Sequence, residues 1–186
     1  MTFLSRSPDE TRRIAAALGA ALDPVPRAGF VVALHGDLGA GKTVFASGLV
    51  RALGVPDRTV IASPTFTVFR SYRGRVPIEH VDAYMVSSRE ALEGAGLHEI
   101  GGNGHVTCVE WAERIADALP KDRIDVDLVP LTEGLTDSSP GAVPSGAPIG
   151  TVEPPRSIRA TAGGRTSERL LARWVELANA GSDGTS

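Results

Sequence analysis

Gly36-Asp37-Leu38-Gly39-Ala40-Gly41-Lys42-Thr43 follows the apolar run Phe30-Val31-Val32-Ala33-Leu34 and leads into Val44-Phe45-Ala46-Ser47-Gly48-Leu49-Val50-Arg51-Ala52-Leu53. The octapeptide reads G-x-x-x-x-G-K-T between a strand-forming and a helix-forming stretch, which is the context a phosphate-binding P-loop requires. Wrapping a polyphosphate takes several backbone N–H groups at close range, and side chains at the glycine positions would block that approach. Lys42 adds a point charge for the β- and γ-phosphates. Thr43 offers a hydroxyl to Mg²⁺, and the helix opening there turns its positive end toward the anion. The expected fold class is therefore α/β: a single P-loop NTPase-like domain, residues 1–186, with a mostly parallel sheet flanked by helices.

Upstream of the loop, Ser7-Pro8-Asp9-Glu10 has capping-box spacing with proline at the first helical position, so a helix is expected from Pro8 to before Pro24. Ile14, Leu18 and Leu22 form its buried stripe. Downstream, Gly54 and Pro56 stop the P-loop helix. Ser63-Pro64-Thr65-Phe66-Thr67-Val68-Phe69 leads into an alternating, strand-like segment, and Tyr72-Arg73-Gly74-Arg75 reads as a turn. Further strands are expected at Val76 to Val81, Val106 to Val109, Arg123 to Val129 and around Ile158, Ala160 and Ala162. Helices are expected over Ser88 to Leu97, shortly after Trp111, and at the C-terminus, where Leu170, Leu171, Trp174, Leu177 and Ala178 share a face. Residues 131 to 155 hold five prolines, four glycines and three serines with no aromatic residue, Lys or Arg, a composition expected to form a mobile loop. A flexible tail is expected at 181 to 186. No internal repeat is visible.

The 186 residues suffice for one domain with a real core. A net charge of −3, from 19 basic and 22 acidic residues, gives no bulk attraction for a polyanion, so any nucleic acid is expected to be handled by a partner. The single cysteine, Cys108, lies in the apolar run Val106-Thr107-Cys108-Val109 and reads as a small buried hydrophobe. No apolar run reaches the length of a membrane span and the N-terminal order is not that of a signal peptide, so the expected compartment is the cytoplasm.

In a parallel α/β sheet ligands bind beyond the carboxyl ends of the strands, which makes Asp82 and Glu110, each ending an expected strand, candidates for magnesium or water chemistry beside Thr43. Which acid does which stays open at this level. His80 and Asp82, two apart on one strand, face the same side and can share a hydrogen bond. His35, His80, His98 and His105 have no metal-site spacing. Trp111, directly after Glu110, either covers a nucleotide or anchors the helix that follows.

Taken together, GDLGAGKT at Gly36 to Thr43, Ser63-Pro64-Thr65-Phe66-Thr67, His80-Val81-Asp82-Ala83-Tyr84 and Val109-Glu110-Trp111-Ala112-Glu113 resemble, in order and spacing, the TsaE family of P-loop ATPases of bacterial tRNA threonylcarbamoyladenosine biosynthesis. The resemblance covers roughly residues 7 to 130 and returns weakly at Arg156 to Gly163. It implies an ATPase acting with the TsaB and TsaD proteins in making N6-threonylcarbamoyladenosine at position 37 of tRNA, with tRNA contacted only through the complex. By the same resemblance, the loop Gly36 to Thr43 would bind ATP, with Thr11 and Arg156 near the nucleotide. Thr43 and Glu110 would hold Mg²⁺, while Lys42, Asp82 and Glu110 would form the catalytic set. Ser63-Pro64-Thr65 would act as a nucleotide-sensing switch. Members commonly read H-x-D-x-Y-R, whereas this chain has Met85 at the last place. Two rival classes are a small-molecule P-loop kinase, disfavoured because the long insertion carries no Arg or Lys, and a nucleotide-dependent scaffold with little turnover.

Overall fold

The apolar run at residues 30–34 has no polar face because helices cover the sheet on both sides. The computed structural model describes residues 1–86, 88–97, 100–102, 104–131 and 154–181. In chain order its elements are β1 (Thr2–Ser5), α1 (Pro8–Ala21), β2 (Phe30–His35), α2 (Lys42–Ala52), β3 (Phe69–Arg73), β4 (Pro77–Asp82), α3 (Arg89–Gly94), β5 (Val106–Glu110), a 3-10 helix (Ala112–Ala118), β6 (Ile124–Pro130), β7 (Arg156–Ala162) and α4 (Arg165–Ala180). The strands lie in the order β1-β7-β6-β2-β5-β4-β3. The four central strands β6, β2, β5 and β4 run parallel. β7 and β3 are antiparallel to their inner neighbours, and β1 is antiparallel to β7. This is the α/β, P-loop NTPase-like architecture expected from the sequence.

Phe30, Val32 and Leu34 point into one core with α1, α2 and α4. Val31 and Ala33 point into a second with Val81, Val109, Leu92 and Ile115. A strand buried on both faces reads as a continuous apolar run, which is why β2 shows no alternation. In the first core Trp174 is fully buried, donates its indole N–H to the Ile14 carbonyl at 2.8 Å and meets Phe45 edge-on at 5.9 Å. Truncating a residue so placed costs about 3–5 kcal/mol.

The α1 start follows its sequence signal: Ser7 Oγ accepts from the Glu10 N–H at 3.1 Å, although the Glu10 carboxylate reaches past the cap to the Arg6 N–H at 2.7 Å. Other expectations shift. β1 was not anticipated, since four residues carry too little pattern to announce a strand. Tyr72 and Arg73 belong to β3, because the Tyr72 ring is buried opposite Ile78, and the turn begins two residues later than expected, at Gly74. The residues after Trp111 form a 3-10 helix kinked at Ile115. Of the expected loop at 131–155 only residues 131, 154 and 155 are described, and of the expected tail at 181–186 only residue 181; the rest lies outside the described residues.

Candidate functional site

β2, β5 and β4 end side by side, and each delivers a chemical group to the same end of the sheet. Leu34 and Glu110 are register partners, as are Asp82 and Glu110. The chain leaving β2 forms the glycine loop and re-enters as α2. Together they wall a cleft of about 450 Å³ lined by the loop from Leu38 to Thr43 and by Ser63, Thr65, Asp82, Tyr84, Glu110 and Trp111.

At Gly36 and Gly41 the loop has no room for a side chain. Gly36 has φ +133, and a Cβ there would collide with the Leu128 carbonyl. Gly41 has φ +99 and packs so closely on the Arg156 guanidinium that any side chain would overlap it. Arg156 is buried and donates to the Ala40 carbonyl at 3.1 Å, bracing the loop from behind. Gly39, also in the left-handed region, has no atom within 4 Å of where its Cβ would stand, so this part of the loop is open to a ligand.

Lys42 is only 5% exposed. Its ammonium donates to the Gly36 and Asp37 carbonyls at 2.5 and 2.9 Å and sits 3.6 Å above the Trp111 ring. Burial lowers its pKa, against the opposing pull of Glu110, Glu113, Asp82 and Asp37. Trp111 reaches this place through a left-handed backbone, φ 58, uncommon for a residue with a side chain and maintained only where surrounding contacts dictate it. Its ring also lies 5.0 Å from that of Tyr84.

The Glu110 carboxylate bridges two groups. One oxygen accepts from the Thr43 hydroxyl at 2.9 Å and the other from His80 Nε2 at 2.8 Å, so a buried imidazole fixes the carboxylate in the orientation that meets Thr43. Asp82 is engaged by the segment between α2 and β3. One of its oxygens accepts from both the Ser63 and the Thr65 hydroxyls, the latter at 2.7 Å, and the other from the Tyr84 N–H at 2.9 Å. Next to that segment Val68 has φ 66, strained for a β-branched residue, and its carbonyl accepts the Asp82 N–H. Among the described residues no group of three His, Cys, Asp or Glu side chains stands ready to hold an ion alone. An ion here would share Thr43 and Glu110 with ligand oxygens, the manner in which Mg²⁺ is commonly bound.

Residues 5–135 match the family described as Threonylcarbamoyl adenosine biosynthesis protein TsaE. The chain belongs to the TsaE family. A TsaE of Treponema pallidum, named tRNA threonylcarbamoyladenosine biosynthesis protein TsaE, is 37% identical over 134 residues, covering 72% of this chain and 95% of its own. The TsaE of Bacillus subtilis is 38% identical over 121 residues, 64% of this chain and 72% of its own. The crystal structure of YdiB from Bacillus subtilis is similar in fold, with a TM-score of 0.66 at 28% identity, covering 95% of this chain and 94% of that one.

Most residues singled out in the sequence converge on the cleft: Leu38 to Thr43 of the loop, Asp82, Glu110 and Trp111. Gly36 and Asp37 are not on its wall and instead hold the Lys42 ammonium with their carbonyls, and Thr11 and Arg156 are not on it either. Thr11 is buried, paired with the Ser5 hydroxyl at 2.7 Å and donating to the Ser7 carbonyl, while Arg156 acts through the loop's backbone. The hydrogen bond that His80 and Asp82 could share from one strand is not made, because His80 turns to Glu110 on the neighbouring strand. Cys108 is buried, and burial pushes its thiol well up, in keeping with a packing role. Sequence reasoning passed over His35, whose ring lies between Glu113 and Asp125. Partners 78 and 90 residues away leave no local pattern to find.

Proposed function

We propose that this TsaE-family chain binds and hydrolyses ATP with Mg²⁺ in tRNA N6-threonylcarbamoyladenosine biosynthesis, working in the cytoplasm with TsaB and TsaD and meeting tRNA only through that complex. The observation that carries the reading is the convergence of a glycine loop, Lys42, Thr43 and two strand-end carboxylates on one cleft. The residues fit a nucleotide: the open flank at Gly39, the α2 N-terminus and the Lys42 ammonium offer a path and donors for phosphate, and among the described residues Lys42 is the cation that lines the cleft. Thr43 and Glu110 would hold the ion. The metal would neutralise charge developing on the phosphoryl group. Asp82, already holding two hydroxyls and an N–H, would orient the water and couple it to the Ser63-Pro64-Thr65 segment.

The partner reading draws on what surrounds the cleft. Leu38, Phe66 and Met85, from the loop, the segment after Thr65 and the turn after β4, are 84%, 100% and 71% exposed. Large apolar side chains gathered near one cleft mark a protein-binding surface more often than a free one. Met85 stands where the family pattern H-x-D-x-Y-R would place an arginine, so a cation needed for turnover would come from elsewhere. The test is ATP hydrolysis by the purified chain alone and with the matching TsaB–TsaD pair, at saturating ATP and Mg²⁺. Slow turnover alone and faster turnover in the mixture supports the proposal. Equal rates would make the chain an independent enzyme, and stimulation by a small acceptor would make it a kinase.

A further inference from the structure

His35 ends β2 and directly precedes the phosphate loop. Its Nε2 lies 2.9 Å from Asp125 Oδ1 on β6, and its Nδ1 lies 3.2 Å from Glu113 Oε2 on the 3-10 helix. A neutral imidazole has one N–H and one lone pair, so with a carboxylate at each nitrogen it would point a lone pair at an anion. The imidazolium donates to both. We propose that His35, held as an imidazolium between Glu113 and Asp125, is a positioning residue that ties the phosphate loop to the turn carrying Trp111.

The contacts form a closed circuit. His35 is bonded through the chain to Gly36, whose carbonyl accepts from Lys42; Lys42 lies against the Trp111 ring; Glu113, two residues beyond Trp111, returns to His35. Opening the link at Glu113 frees the aromatic wall of the cleft to move away from Lys42. Asp125 on β6 is shared with Arg123 just before that strand, at 2.9 and 3.1 Å from its Nε. Glu113 comes from the 3-10 helix. Asp127, the register partner of His35, is engaged by Arg159 of β7 at 3.2 Å. Lys42 stands across the Trp111 ring. The Asp125 hydrogen bond raises the His35 pKa above 6.5, with burial opposing and Glu113 adding to the rise. Of the two links, the one to Glu113 is longer and its carboxylate more exposed, 49% against 22%, so it is the one that opens when the proton leaves.

The inference rests on the nucleotide-binding reading, and its test separates the two. The ring resonances of His35, assigned by their loss in His35→Gln, are followed by NMR from pH 6 to 9 in the full chain. Trp111 emission and affinity for mant-ATP with Mg²⁺ are measured over the same range. A midpoint above 6.5 is expected, moving down in Glu113→Gln. Wild-type affinity should fall about threefold to tenfold across that midpoint, the scale of one charge-assisted hydrogen bond only partly transmitted to the ligand. Both variants should bind weakly and without that step; the titration of the nucleotide's own γ-phosphate is common to all three proteins and cancels in the comparison. A midpoint at or below 6.5 overturns the proposal. So does a raised midpoint through which both Trp111 emission and affinity stay level. Failure to bind mant-ATP at any pH would defeat the nucleotide reading, with the His35 link still judged by Trp111 emission across the midpoint.

Discussion

Lys42 is the residue on which the phosphate reading turns, and the structure shows why it is separable from the fold. Its ammonium contacts two loop carbonyls and an indole face at the cleft, none of them in the apolar core. Lys42→Ala should therefore lower ATP affinity by about tenfold to hundredfold, the worth of a charged hydrogen bond, while thermal melting barely moves. Titration of the folded variant with nucleotide checks this, and an unchanged affinity would remove the phosphate role. Glu110 differs, since one carboxylate joins the Thr43 hydroxyl to a buried histidine. Glu110→Gln keeps the shape and removes the charge, so the Mg²⁺ concentration supporting half-maximal hydrolysis should rise roughly tenfold or more. A wild-type magnesium curve would transfer the metal role to Asp82.

At the scale of elements, α4 is started by a residue outside it. Asp122, in the turn before β6, accepts the Ser167 N–H at 2.8 Å and the Thr166 N–H at 3.0 Å, satisfying donors that the Gly164 cap cannot. Burial is the largest single influence and pushes its carboxyl up, but the bonds from Ser167 and Thr166 together outweigh it and hold the pKa at about 2. A depressed folded-state value means stability that is present above the ordinary carboxylate range and lost as pH falls toward 2. Asp122→Ala should cost about 0.5–1 kcal/mol near neutral pH, the low end for a cap because the site is solvated, and the difference from wild type should shrink as pH falls toward 2. Melting temperatures at pH 7 and pH 2.5 test both halves; an equal deficit at both would mean that the carboxylate charge is irrelevant. The same scale explains what the sequence disclosed. β2, the loop and α2 are contiguous, and their signals, an apolar run, fixed glycines and a helical face, are local. Glu110 and Asp82 were legible because a strand-end acid is itself a local pattern. Arg156 behind the loop, His80 turned toward Glu110 and Asp122 capping α4 are agreements between distant segments, created by strand order rather than by spacing.

For the whole molecule, the long segment between β6 and β7 is the clearest test of what the fold requires. Pro130 and Arg156 are already register partners, and the Leu131 N–H reaches the Pro155 carbonyl at 2.6 Å, so the two strands meet before the intervening residues contribute. A Pro-, Gly- and Ser-rich stretch offers little apolar surface to bury, and loop-closure entropy changes slowly with length. Removing residues 133 to 152 should leave melting temperature and ATP binding close to wild type. A large fall in melting temperature would mean that the segment packs on the domain.

The pairing of β1 with β7 also orders events during synthesis. The amino group of Met1 and the carbonyl of Ala160, hydrogen-bonded at 2.9 Å, are 159 residues apart, so β1 leaves the ribosome long before its neighbour exists. By then β2, α2 and the central parallel strands have emerged and can assemble, but the phosphate loop still lacks the guanidinium of Arg156 behind Gly41. Until β7 is made, the loop stands without the side chain that braces it from behind. Closure of the sheet edge and completion of the loop therefore depend on the same strand, β7, the last strand of the sheet to be made.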